Sequence, residues 1–213
     1  MVLELQNINK SFGNVCALKG VNLSVQKGDW VSIMGPSGSG KSTLLNIIAL
    51  LDEPTRGEYR LMGKSMRDLS EEEKIVIRRE KIGLIFQQFH LIPYLTALEN
   101  VELAQFYHSA VDSDDAKAAL EKVGLGHRIS HLPSELSGGE QQRLCIARSF
   151  INNPDILLAD EPTGNLDGEN EKIILEAFCK LRDEGKTIIL ITHNPELGEY
   201  GNKKLRLKHG EMA

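Results

Sequence analysis

Gly35-Pro36-Ser37-Gly38-Ser39-Gly40-Lys41-Ser42-Thr43 has the residue types and spacing of a loop that cradles phosphates. It fits G-x-x-x-x-G-K-[ST] and continues with a second hydroxyl residue. Its glycines let the backbone curl so that successive N–H groups point inward at an anion. A helix beginning at the end of the loop adds the partial positive charge of its N-terminus. Lys41 supplies a point charge to the β- and γ-phosphates, and the Ser42 hydroxyl is placed to ligate Mg²⁺.

Two further stretches could act with that loop. Ile156-Leu157-Leu158-Ala159 is an apolar strand that ends in two acids, Asp160 and Glu161. In a parallel sheet the ligand crevice lies at the carboxyl ends of the strands. Asp160 is therefore placed to hold the Mg²⁺ complex, and Glu161, one position further, to polarise an attacking water. The other stretch is Leu136-Ser137-Gly138-Gly139-Glu140-Gln141-Gln142-Arg143, which opens a long helix. Ser137 and Glu140 have capping-box spacing. Gly138 and Gly139 are poor helix formers, costing about 1 kcal/mol each relative to alanine. They suit exposed N–H groups at a dipole terminus, which is a second anion site. One chain with one phosphate loop has no need of two, so the second is explained if it faces the γ-phosphate held by another subunit.

The elements that must position these residues are legible in the apolar pattern. Leu3 to Ile8 and Val21 to Val25 read as strands with alternation, and Gly57 to Met62 as another. Trp30–Met34, Ile156–Ala159 and Thr187–Ile191 are short apolar runs without alternation, and Ile82 to Phe86 is a further buried strand. Such runs suit a parallel sheet covered on both faces. Helices are expected at Ser42 to Leu50, Asp68 to Arg79, Ser113 to Val123, Gly138 to Ile151 and Glu169 to Glu184. Thr96 opens one more, with Glu99 completing its capping box. Lys203 to Lys208 reads as a last strand. The helical stretch from about 90 to 137 interrupts the α/β pattern and is expected to form an inserted lobe.

Composition bounds the function classes. The 213 residues are 41% hydrophobic and 26% charged, enough for a packed core, and the formal net charge is −5. Non-specific nucleic-acid binding runs on clustered Lys and Arg, so this balance argues against DNA or RNA as the main partner. The longest apolar run, Ile47 to Leu51, is far short of the roughly 20 residues of a membrane span. No secretory pattern is expected at Met1-Val2-Leu3-Glu4. Cys16, Cys145 and Cys179 have no Cys-x-x-Cys spacing, which fits a reducing compartment.

On the phosphate loop, the acidic pair and above all Leu136–Arg143, the chain resembles an ABC-transporter ATP-binding subunit along essentially its whole length. The resemblance implies an α/β P-loop NTPase fold with a mixed β core, an N-terminal antiparallel β subdomain and an inserted helical lobe. It implies one domain over 1–213, with a RecA-like core from about 1–89 and 138–213 and a helical subdomain from about 90–137. It implies ATP and Mg²⁺ as ligands, and a head-to-tail homodimer that sandwiches two ATP molecules between phosphate loop and opposing Ser137-Gly138-Gly139. Gln87, in Phe86-Gln87-Gln88, resembles the family's glutamine that reaches Mg²⁺ and the water. Gly164-Asn165-Leu166-Asp167 resembles the loop that crosses the dimer interface. His193, after Ile191-Thr192, resembles the switch histidine that contacts the γ-phosphate, and Glu161 the general base. Phe12, in Lys10-Ser11-Phe12-Gly13, resembles the aromatic residue that stacks on adenine, where tyrosine is more usual.

Within the family the chain is most similar to the branch serving lipoprotein release, macrolide-type export and bacterial cell division. The stretches that carry this are Leu51–Glu58, Arg78–Gly83, Leu98–Val101 and Thr163–Asp167. The branch implies a separate transmembrane permease, docked near Phe89 to Leu95 and the helical lobe, with the ATPase peripheral on the cytoplasmic face of a prokaryotic cell membrane. Export or extraction of a substrate and mechanical signalling through a membrane partner both fit that motor. DNA-repair relatives insert coiled coils or zinc modules between the phosphate loop and the acidic strand. This interval carries neither sustained heptads nor paired cysteines.

Overall fold

Three apolar runs of the sequence lie side by side in the middle of one sheet, as their lack of alternation requires. They are β3 (Trp30–Met34), β8 (Thr187–Ile191) and β7 (Ile156–Asp160), all parallel. The computed structural model describes residues 1–164 and 166–212. Among them the sheet runs β10-β9-β3-β8-β7-β6, where β6 is Ile82–Ile85, β9 Lys203–Lys208 and β10 Glu211–Met212. Only β10 is antiparallel to its neighbour.

A second, antiparallel sheet has the order β2-β1-β4-β5. Its strands are β1 (Leu3–Phe12), β2 (Val15–Val25), β4 (Arg56–Leu61) and β5 (Lys64–Ser65). The expected strands Leu3–Ile8 and Val21–Val25 are thus the inner halves of a long hairpin turned at Gly13-Asn14. Its outer halves are exposed or half-buried except at Leu18 and do not alternate, so periodicity does not mark them.

Successive side chains of the central strands point to opposite faces, and each face has its own core. Val31, Ile33, Leu158, Ile189 and Ile191 pack with helix α1 (Lys41–Ile48) against the antiparallel sheet. Trp30, Leu157, Ala159, Ile188 and Leu190 pack on the other side under the remaining helices. These are α3 (Ala97–Phe106), α4 (Ser113–Lys122), α5 (Gly138–Phe150) and α6 (Gly168–Asp183). Each of these leucines and isoleucines contributes about 1.5–3 kcal/mol by leaving water.

The helical insertion leaves the sheet after β6 and returns through α5 to the adjacent strand β7. Ala97 and Val101 of α3 and Ala116 and Leu120 of α4 are buried in the same cluster as Leu144 of α5. The helix starts follow the local code: Ser70, Thr96 and Ser137 each close a capping box with the glutamate three residues on. The charged helix α2 accordingly spans Glu71–Lys81 rather than beginning at Asp68. Sequence periodicity had no purchase on α7 (Pro195–Glu199), β5 or β10, which are too short to show a period.

Candidate active site

The loop from Gly35 to Thr43 joins the end of β3 to α1, and space dictates two of its glycines. A Cβ on Gly35 would lie 2.1 Å from the Leu207 carbonyl oxygen of β9. Gly40 has φ +101°, and its Cβ would lie 2.5 Å from the Ala17 carbonyl oxygen of β2. Gly40 is also the N-cap of α1, which has neither a side-chain cap nor an acid in its first turn. Its first N–H groups are therefore free to bind an anion. Lys41 curls back so that its ammonium donates to the carbonyls of Gly35, at 2.9 Å, and Pro36, at 3.0 Å. The Ser39 backbone is held from behind: its carbonyl accepts the Gly210 N–H at 3.0 Å.

The loop forms one side of a cleft of about 800 Å³. Gly35, Pro36, Ser37, Gly38, Gly40, Lys41, Ser42 and Thr43 line it, while Ser39 is buried beneath the loop. Asp160, Glu161, Gln87 and His193 close the opposite side. Four distant segments thus converge because β3, β7 and β8 are parallel neighbours whose carboxyl ends share one edge, with β6 beside β7.

Each of the four has a definite setting. Burial raises the Asp160 pKa above the usual carboxylate range, and Glu161 nearby pushes the same way; Ser42 and the Lys41 charge oppose the shift. Glu161 leaves the strand with φ +48°, a left-handed conformation uncommon outside glycine and a form of strain that clusters at functional sites. Its N–H bonds the Ile191 carbonyl at 2.9 Å. Its carboxylate accepts from His193 twice, from the backbone N–H at 3.1 Å and from Nδ1 at 2.8 Å. The Glu161 side chain is 14% exposed and that of His193 68% exposed, so the histidine caps the acid from the solvent side. Gln87 is exposed just after β6, with its amide nitrogen 3.4 Å from where a Gly164 Cβ would stand.

A hydroxyl, a carboxylate and an amide oxygen are hard donors, the set a Mg²⁺ ion takes when its remaining ligands are phosphate and water. Ser42, Asp160 and Gln87 all line the one cleft. Among the described residues no cluster of three or more His, Cys, Asp or Glu forms a cage that would hold a metal alone.

Ser137, Gly138 and Gly139 are not brought to this cleft. They start α5, where Ser137 Oγ accepts the Glu140 N–H at 3.3 Å and Glu140 accepts the Ser137 N–H at 2.8 Å. Arg128 adds a 2.9 Å ion pair, and the Glu140 pKa falls to about 2, chiefly through the Ser137 backbone bond. Ser137 and Gly138 are exposed, whereas Gly139 is buried. A Cβ on Gly139 would sit 2.1 Å from Asn170 Oδ1 of α6, so close helix packing also requires a glycine there. Phe12 likewise lies outside the cleft lining. It ends β1 52% exposed, with the Lys10 ammonium 4.8 Å from its ring centroid. Of the stretch Gly164-Asn165-Leu166-Asp167, Asn165 lies outside the described residues, and Asp167 caps α6 by accepting the Asn170 N–H.

Sequence reasoning passed over Val15, Cys16, Ala17 and Lys19 on the hairpin and His209-Gly210 between β9 and β10, all of which line the cleft. They belong to no motif. They arrive there because the Lys19 N–H bonds the Gly210 carbonyl at 2.8 Å while Gly210 bonds the loop, a chain of long-range contacts with no local signature.

Known proteins share this arrangement. The chain is 50% identical over 214 residues to the macrolide export ATP-binding/permease protein MacB of Bdellovibrio bacteriovorus, covering 98% of this chain and 33% of the relative. It thus spans about a third of that relative's length. It is 49% identical over 219 residues to the ABC transporter ATP-binding protein MJ1508 of Methanocaldococcus jannaschii, covering 100% of this chain and 98% of the relative. The solved dimeric structure of a post-hydrolysis state of the ATP-binding cassette MJ0796, bound to ADP and Pi, matches with a TM-score of 0.91 at 44% identity over 99% of this chain and 96% of that one. The ABC transporter family pattern covers residues 18–164, from the hairpin to the loop beyond Glu161. Over that span, and end to end with MJ1508, the chain belongs to the ABC transporter family, as an ATP-binding domain.

Proposed function

We infer that two copies of this chain close head to tail on two ATP molecules and hydrolyse them, and that this drives a membrane permease. An ABC ATP-binding domain is an ATP hydrolase, and the solved MJ0796 cassette is a post-hydrolysis state bound to ADP and Pi. The observation that carries the assignment of roles is the Glu161–His193 pair facing the phosphate loop across one cleft. Lys41 and the loop amides hold the β- and γ-phosphates. Glu161 takes the proton of the attacking water, and His193, tethered to it, contacts the γ-phosphate. Ser42, Asp160 and Gln87 hold Mg²⁺, which when bound neutralises charge on the β- and γ-oxygens. Phe12, exposed outside the cleft lining, stacks on adenine.

Ser137, Gly138 and Gly139 complete the cage from the second copy. The dimeric state of the solved MJ0796 cassette supports this pairing, as does the separation of the two regions within one chain. The RecA-like core is assigned to about 1–89 and 138–213 and the helical subdomain to about 90–137. Among the described residues no helix is long and apolar enough to cross a membrane. MacB's name joins an ATP-binding part to a permease, which supports a separate permease for this chain and a position on the cytoplasmic face of a prokaryotic membrane. The docking face runs over Phe89 to Leu95, where Tyr94 is 79% exposed.

Glu161→Gln should lower turnover at least about 100-fold, the range of a general base, while ATP still drives a stable dimer visible by size-exclusion chromatography. Unchanged ATPase activity in that variant sinks the assignment. Export is favoured over signalling by the MacB name, and ATP-dependent substrate movement by the reconstituted complex tests it.

A further inference from the structure

Glu171 has no place in the roles above, yet it hydrogen-bonds a residue close in the chain to each member of the catalytic pair. It lies in the first turn of α6, half-buried, ten residues after Glu161. Its Oε1 accepts from Thr163 Oγ1 at 3.5 Å, on the segment that follows Glu161. The same oxygen accepts a short bond from the side-chain amide of Asn194, the residue after His193. Asn194 is pinned on its other sides: its N–H bonds Thr192 Oγ1 at 3.0 Å, and its Oδ1 accepts the Glu196 N–H at 2.8 Å to cap α7. Helix α7 in turn presses on the residue before the phosphate loop, since a Cβ on Gly198 would stand 2.5 Å from Met34 Sδ.

A first-turn acid commonly just suits the helix dipole. Here α6 already has its cap from Asp167, and the Glu171 carboxylate turns to two residues outside the helix instead. We propose that Glu171 is a positioning residue for hydrolysis, holding Asn194 so that His193 stays seated on Glu161. The proposal rests on the reading of Glu161 and His193 as the catalytic pair. It requires no contact between Glu171 and nucleotide.

The test exploits donor direction. Asn194→Asp keeps an oxygen to cap α7, since Asn and Asp cap equally well, but removes the N–H that Glu171 accepts. Steady-state ATPase assays should show kcat at least fivefold lower, with KM and ATP affinity within twofold of wild type. Glu171→Gln alone still offers Oε1 and should stay within twofold in kcat. The double variant Glu171→Gln/Asn194→Asp restores the bond with its donor reversed and should recover kcat to within twofold of wild type. In a His193→Ala background, Asn194→Asp should have no further effect on the residual rate.

A wild-type kcat for Asn194→Asp overturns the proposal, as does a double variant no faster than Asn194→Asp, or an undiminished fivefold loss in the His193→Ala background. If Asn194→Asp does not fold, Glu171→Ala carries the same expectation of a kcat loss with unchanged KM. Turnover in Glu161→Gln separates the two levels: if that variant still hydrolyses ATP, the catalytic reading has failed. If it is inactive while Asn194→Asp is unimpaired, only the Glu171 proposal has failed.

Discussion

The phosphate loop and the start of α5 are both glycine-rich helix entrances, yet the structure treats them in opposite ways. At Gly40 the helix is left uncapped and faces a cleft shared with Asp160, Glu161, Gln87 and His193. At Ser137 the helix is fully capped by its own residues, ion-paired through Glu140 and packed on α6 through Gly139. The first region has its orphan N–H groups turned to a site that one chain completes, except for one wall. The second leaves Ser137 and Gly138 exposed, outside the lining of that cleft. The difference teaches that helix-dipole chemistry alone does not make a site. What matters is whether the opposing groups arrive, and for α5 the proposed head-to-tail dimer would bring them from the other copy.

The sharpest break of this contrast is at the loop. Lys41→Met should weaken ATP binding to the monomer about 100-fold, near 2.7 kcal/mol, because a charge-assisted phosphate contact is lost. Isothermal titration would show it, and unaltered affinity would mean that the loop amides alone hold the phosphates. Gly138→Asp comes next. This position is exposed, with only the Leu166 side chain near, at 4.0 Å from its Cβ, so the fold should be kept. Monomer affinity should stay within twofold while kcat drops about 30-fold, roughly 2 kcal/mol, as the new carboxylate meets the other copy's phosphates. Equal loss of monomer affinity would show that the two regions meet within one chain.

The capping network predicts a pH effect with a defined sign. Glu140 has its pKa depressed to about 2 from 4.5, so its stabilisation is present above pH 4.5 and is lost as pH falls toward 2. Glu140→Gln should cost on the order of 2 kcal/mol at pH 7, and the gap to wild type should close near pH 2, in denaturant unfolding followed across pH. A gap independent of pH would assign the cost to packing. The smallest effect is at Gly139. Alanine there must displace the Asn170 side chain, at a cost of about 1 kcal/mol or a few degrees in Tm. Monomer ATP affinity should be unchanged. A variant as stable as wild type would show that Asn170 swings aside freely.

Local features of the fold were readable because their physics is local. The capping boxes at Thr96–Glu99 and Ser137–Glu140 close within one turn and formed as expected. The buried runs Trp30–Met34 and Thr187–Ile191 are strands over those same residues, since burial on both faces leaves a continuous apolar stretch. The outer halves of the hairpin, α7 and β10 were missed because they show no alternation of buried and exposed residues or are too short to carry a period.

Sequence by itself determined the phosphate loop, the acidic end of β7 and the family, since each is written in consecutive residues whose chemistry tolerates few substitutes. Only the tertiary structure decided that the β9–β10 turn braces Ser39, that Gly139 is buried under Asn170, and that Glu171 spans the segments after Glu161 and His193. Those contacts join residues far apart in the chain or on neighbouring elements. Their energy depends on how parallel strands and helices pack in space, a geometry that no spacing within a single segment encodes.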